Sequence, residues 1–205
     1  MIQITSAKSP FTDPRLAAQA VTALTRAEAM GLLPGTHRIL TLDLPTLRKV
    51  LGYLHRAGIG LSYHFAPGDQ ANPAPAVERL LRQLNTAMEE SPAPQQEWNR
   101  LADVLGIDRL AQLLGISLTS VRRYKAAART TPDEVAGRLH FLSLVVGDLI
   151  GAYNAIGVRQ WFDRRRAQLG GRAPAELLRG AWDPGASEAS RVRELARSLA
   201  ASPAT

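Results

Sequence analysis

Apolar residues recur at three- and four-residue spacing along most of the chain, which predicts helices. From Arg15 to Met30, Leu16, Ala20, Leu24 and Ala27 share one face; Pro14 suits the first turn, and Gly31 with Pro34-Gly35 ends the run. His37 to Leu42 alternates and predicts a strand. Asp43 is a predicted N-cap, with Pro45 in the first turn of a helix striped by Leu47, Val50, Leu51 and Leu54. Gly58 is the expected left-handed residue past its end, and Ile59 to Phe65 is a second predicted strand. Two Pro/Ala stretches, Asn72-Pro73-Ala74-Pro75 and Ser91-Pro92-Ala93-Pro94, flank a short helical segment, and the second is the expected main linker.

Beyond the linker the pattern is helical throughout. Thr131-Pro132-Asp133-Glu134 reads as a helix start, with Thr131 as cap and acidic residues at the positive end of the dipole. Its stripe runs through Val135, Leu139, Leu142, Val146, Leu149 and Tyr153, with Gly157 as the expected end. A short helix carrying Val158, Trp161 and Phe162 follows. The glycines at 170 and 171 form a turn, Pro174 opens another helix, and Leu177-Leu178 pack inward. A last helix, about Ser187 to Ala200, is striped by Val192, Leu195 and Leu199. The expected fold class is mainly α. Residues 1–68 form a small α or α+β domain, 69–96 a connecting region with a short helix, 97–130 a helix-turn-helix, and 131–205 a long helix with a small helical module.

Composition narrows the chemistry. The chain has 205 residues and no cysteine, so disulfides, thiolate metal sites and cysteine nucleophiles are excluded. The four histidines, His37, His55, His64 and His140, are too scattered for a metal cluster, and His55 with His64 reads as ordinary surface or core. No catalytic constellation is visible, and Gly31, Gly35 and Gly58 lack the close spacing of a phosphate-cradling loop. The expectation is a non-enzyme without cofactor. No signal peptide or membrane span is visible in the sequence, which predicts a soluble cytoplasmic protein with no membrane contact.

The net charge of +7 favours an anionic partner, and its distribution is uneven. Residues 1–97 carry 9 basic and 8 acidic groups; residues 98–205 carry 16 and 10, so the excess is +1 against +6. Only three of the basic residues are lysines, and with the abundance of Ala, Gly and Pro this suits a GC-rich codon bias.

Between Ile107 and Ala126 the residue types meet the needs of two short helices joined by a tight turn. Ala111 is the small residue at the crossing, Gly115 serves the left-handed turn, and Leu110, Leu114, Ile116, Val121 and Tyr124 pin the helices together. Ser117 caps the second helix, whose apolar positions Leu118, Val121 and Tyr124 leave Thr119, Ser120, Arg122 and Arg123 on the outer face. Lys125 and Arg129 follow, and from Ile116 to Arg129 there are four basic groups and no acidic one. A merely solvated helix usually mixes signs. Arginine grips guanine or clamps phosphate, and hydroxyls suit either. The candidate contacts to double-stranded DNA are therefore Ser117, Thr119, Ser120, Arg122, Arg123, Lys125 and Arg129.

The order Gly157, Trp161, Leu169-Gly170-Gly171-Arg172, Pro174, Glu176-Leu177-Leu178, then a terminal amphipathic helix, resembles the toxin-binding domain of Xre/MbcA/ParS-type antitoxins. In that family the domain directly follows a helix-turn-helix. The resemblance covers about residues 100–202. It implies a RES-type toxin partner that attacks NAD or transfers ADP-ribose, an antitoxin domain covering its active-site entrance, and operon repression by a homodimer or larger complex. It implies toxin-facing residues around Trp161, Gly170, Gly171, Arg172 and Pro174. Where the family often has Pro-Asn, this chain has Asp163-Arg164-Arg165-Arg166. The first 95 or so residues have no counterpart in compact members. A regulator of the same ancestry without a toxin partner is the alternative; an enzyme in the N-terminal half has no motif behind it.

Overall fold

The computed structural model describes residues 2–34, 41–65 and 73–201. It is mainly helical, with ten α-helices and one two-stranded sheet among the described residues. The chain divides into two compact units, residues 1–28 with 32–91, and residues 29–31 with 92–205.

In the first unit, β1 (Ser6–Ala7) pairs in parallel with β2 (Thr41–Leu42), joined also by a hydrogen bond between the Ser6 and Thr41 hydroxyls at 2.9 Å. Helix α1 (Pro14–Ala29) buries Leu16, Ala20, Leu24 and Ala27, the face its spacing predicts. Helix α2 (Leu44–Arg56) starts at Asp43, whose carboxylate accepts the Thr46 N–H at 2.9 Å, and buries Leu47, Val50, Leu51 and Leu54. The segment between the Pro/Ala stretches is longer than a short helix. Helix α3 (Pro73–Glu90) spans 18 residues, and its two prolines fit the first turn, where no intrahelical N–H is required. Buried Arg26 of α1 donates to Asn85 at 3.2 Å and pairs with Glu89 of α3 at 3.1 Å.

The strand expectations are only partly met. His37 to Leu40 lies outside the described residues, and only Thr41–Leu42 is strand. Ile59 to Phe65 is not a strand. Gly58 and Gly60 are both left-handed, at φ 81° and 66°, and the Tyr63 N–H returns to the Gly60 carbonyl at 2.9 Å, so the segment folds back in turns.

The second unit packs α4 (Pro94–Leu105), α5 (Ile107–Leu114), α6 (Leu118–Lys125), α7 (Asp133–Ile150), α8 (Ala155–Asp163), α9 (Pro174–Leu177) and α10 (Ser187–Ala201). Its centre is α7, buried on every side from Arg138 to Ile150 and mostly apolar there, as befits a helix inside a bundle. Its buried polar residues have partners. His140 Nδ1 lies 2.6 Å from Glu97 Oε1 of α4, and the Ser143 hydroxyl donates to the same oxygen at 2.9 Å. Asp148 faces Arg197 of α10 at 3.8 Å.

Two boundaries differ from expectation. Helix α7 ends at Ile150, and Gly157 lies in the first turn of α8, where its N–H donates to the cap Asn154 at 2.9 Å. A Cβ at Gly157 would crowd the Tyr153 ring at 3.0 Å, so the glycine serves close packing and not termination. Thr131 does not cap α7; its hydroxyl accepts the Trp98 indole N–H at 2.9 Å. No single helix among the described residues is long and apolar enough to cross a membrane.

Candidate nucleic-acid interface

Helices α5 and α6 are joined by Gly115, Ile116 and Ser117. Gly115 takes the left-handed conformation, at φ 66° and ψ 34°. Leu110, Ala111, Leu114, Val121 and Tyr124 are buried between and beneath the two helices, with Ile116 half-buried. Fully burying one such aliphatic side chain is worth about 1.5–3 kcal/mol, so the pair is held by its packing. Ser117 caps α6: its hydroxyl accepts the Ser120 N–H at 3.1 Å and lies 3.0 Å from the Ser120 hydroxyl.

Thr119, Arg122, Arg123 and Arg129 are exposed, and Ser120 and Lys125 are half-buried. Thr119 with Arg122, and Ser120 with Arg123, are i, i+3 pairs, so each arginine has a hydroxyl beside it on the helix surface. No acidic residue interrupts this helix. Cations near a helix C-terminus also complement the dipole, which accounts for part of the charge of the last turn. Leu118, expected on the inner face, is 37% exposed; it is the first residue of α6 and faces outward there.

Three contacts around this pair have no periodic signal in the sequence. The Trp98 ring stacks on Tyr124 at 5.7 Å, which ties α4 to α6, and Arg129 lies over the Tyr124 ring at 5.9 Å. A cleft of about 390 Å³ opens beside Trp98, Tyr124 and Arg129. On the other side, the Trp182 indole N–H donates to the Leu113 carbonyl at 2.7 Å.

The residues that carry the family resemblance split by environment. Trp161 is 1% exposed and packs edge-on against Phe162 at 5.3 Å; Pro174 is also buried. Trp161 belongs to the apolar core of the C-terminal module, and Pro174 is buried at the start of α9. Gly170, Gly171 and Arg172 are exposed on a tight loop. That loop is closed by an Arg166–Arg172 antiparallel bridge around the 3₁₀ turn Ala167–Leu169, with both glycines left-handed. Glu188, at the start of α10, is held below the ordinary carboxylate range by its own amide and the Ser187 hydroxyl, then by the charges of Arg172 and Arg191. In the stretch where the family often has Pro-Asn, Asp163 forms a bidentate pair with Arg109 of α5, at 2.5 and 2.7 Å. Comparison with family models, curated proteins and solved structures finds no match to this chain.

Proposed function

We propose that this chain is a DNA-binding antitoxin: α5 and α6 form a helix-turn-helix that represses its own operon, and the C-terminal module covers the active site of a RES-type toxin. The observation that carries the DNA half is the exposed face of α6. Thr119, Ser120, Arg122 and Arg123 stand on a helix fixed by buried Val121 and Tyr124, with Lys125 and Arg129 beside them and no carboxylate on the helix. Such a face suits a major groove, with hydroxyls and guanidinium groups for phosphates and guanine edges. The toxin half rests on the family resemblance, and the exposed Gly170-Gly171-Arg172 loop is the surface it favours.

A second reading, a regulator of the same ancestry without a toxin, draws support from Asp163. In the stretch where the family often has Pro-Asn, this chain uses a carboxylate to hold Arg109 of its own α5. Affinity purification of the tagged full chain from its native host, with mass spectrometry of co-purifying protein and sequencing of bound DNA, separates the readings. A stoichiometric RES-type partner together with enriched operator DNA is the expected result. Recovery with DNA alone favours the regulator, and recovery with neither removes both.

A further inference from the structure

Helix α2 of the N-terminal unit carries a second cationic face without ion pairs among the described residues. Arg48, Lys49, Gly52, Tyr53 and Arg56 occupy positions i, i+1, i+4, i+5 and i+8, one contiguous surface opposite the buried leucine and valine stripe. The helix has no acidic residue over its 13 positions. Arg48, Lys49 and Arg56 are exposed, and the ion pairs of this unit among the described residues involve none of them. Other arginines of the same unit do: Arg15 and Arg82 pair with Glu78, and Arg26 pairs with Glu89. Dipole complementarity accounts for His55 and Arg56 in the last turn, but not for Arg48 and Lys49 in mid-helix.

The two arginines are also held. The Arg56 guanidinium lies over the Tyr53 ring at 4.6 Å, and that of Arg48 over Phe65 at 5.3 Å. Stacking on a ring fixes a guanidinium plane and leaves its N–H edge for an acceptor. Between them Gly52 sits in mid-helix, where glycine is destabilising relative to alanine by about 0.5–1 kcal/mol. Packing does not require it, since a Cβ there would meet only Arg56 Nη1 at 4.0 Å. Its absence lets a ligand approach the helix backbone between the cations.

We infer that this face of α2 binds the phosphodiester backbone of duplex DNA without reading bases, as a second surface independent of α6. An anionic membrane fits less well, because a helix lying in a bilayer inserts its apolar face, and here that face is the core of the unit. The inference rests on the DNA-binding reading only for its choice of partner. Its test titrates the full chain into a random-sequence duplex at several salt concentrations. The proteins are wild type, Arg48→Gln/Lys49→Gln/Arg56→Gln, Arg122→Ala/Arg123→Ala, and the combination. The α2 triple variant is expected to lower the salt slope by about two to three, at roughly 0.9 per phosphate contact, in both backgrounds. Lys49→Gln alone, which touches no ring, is expected to lower it by about one and guards against loss of fold in the triple variant. If the α2 variants lower the slope while Arg122→Ala/Arg123→Ala changes nothing, the recognition-helix reading fails and this inference stands. Unchanged slope and affinity in both α2 variants overturns it. So does wild-type protein that ignores duplex and co-sediments with phosphatidylserine vesicles.

Discussion

The indole N–H of Trp182 donates to the backbone carbonyl of Leu113 at 2.7 Å. Leu113 is in the last turn of α5, where carbonyls have no partner within the helix. Trp182 supplies one from the loop between α9 and α10, with its ring edge-on to Phe141 of α7 at 5.1 Å. Beside it the Gly180 backbone occupies the space a Cβ on Gly115 would need. The turn between α5 and α6 is thus clamped by the C-terminal module, through a hydrogen bond between residues 69 positions apart.

This clamp separates two glycines that share one backbone conformation. Gly115 and Gly170 both have φ 66°, but a Cβ at Gly170 meets nothing within 4 Å. Gly170→Ala is expected to cost about 1 kcal/mol, the left-handed penalty alone. Gly115→Ala adds overlap with the Gly180 backbone and is expected to cost about 2–4 kcal/mol. All three tryptophans, Trp98, Trp161 and Trp182, lie in the second unit, so tryptophan fluorescence during denaturant unfolding reports on that unit. Equal losses for the two variants would refute the clamp.

Arg122 and Arg123 are adjacent and point about 100° apart around α6, so on the proposed DNA-binding reading they would meet different parts of a bound duplex. If one reads a base, its alanine variant loses about 1–3 kcal/mol and relaxes preference at a single position. The other, holding a phosphate, weakens all sequences alike and lowers the salt slope by about one. Binding of each variant to a panel of single-base operator substitutions assigns the roles. A double variant as tight as wild type would remove α6 from the interface.

Legibility in the sequence follows the range of the contacts. The apolar stripes of α1 and α2, the Asp43 cap and the Gly115 turn were readable, because each is set by residues within a few positions of one another. Thr131 reads locally as a cap, but its hydroxyl is taken by Trp98, 33 residues away, and no local pattern encodes that hydrogen bond. Ile59 to Phe65 alternates as a strand would, but left-handed glycines at 58 and 60 turn the chain before an edge can form. Trp161 carried the resemblance, yet its indole serves the core of the module. The cations of α2 are plain in the sequence; what marks them is that neighbouring arginines have carboxylate partners and these have none among the described residues, a fact of three-dimensional pairing.

Asp43 gives a pH-dependent test. The Thr46 N–H and, to a lesser degree, Lys8 at 3.9 Å hold its carboxyl below the ordinary value of 3.8. A depressed folded pKa contributes stability above the unfolded value, and that contribution disappears as pH falls through the folded one. Asp43→Ala is therefore expected to lose about 0.5–2 kcal/mol near neutrality. The loss should begin to shrink as pH falls below about 4, the unfolded value, and vanish only below the lower folded one, where the folded wild type is protonated too. Asp43→Asn, which still caps, should stay close to wild type near neutrality. Thermal unfolding followed by far-ultraviolet circular dichroism at both pH values checks this. A loss in Asp43→Ala as large in acid as at neutrality would contradict a cap made by the carboxylate.

Two residues past the end of helix α6 stands a residue that resists the conformation it holds. Ala127 has φ 52°, the left-handed region that glycine favours. Its N–H bonds the Tyr124 carbonyl at 3.0 Å, and the next N–H, of Ala128, reaches back to Arg123 at 3.0 Å. That is the pairing of a Schellman ending with alanine at the glycine position. Left-handed alanine costs about 1–2 kcal/mol, part of which the greater unfolded freedom of glycine would offset. Ala127→Gly is therefore expected to stabilise the unit by about 0.5–1 kcal/mol, a rise of roughly 1–4 °C in Tm. Ala126→Gly is the control. Its φ of −80° suits alanine, so glycine there brings only the entropic penalty and lowers Tm. Tm shifts of the same sign in both variants would show that the strain at Ala127 is not what limits this helix end.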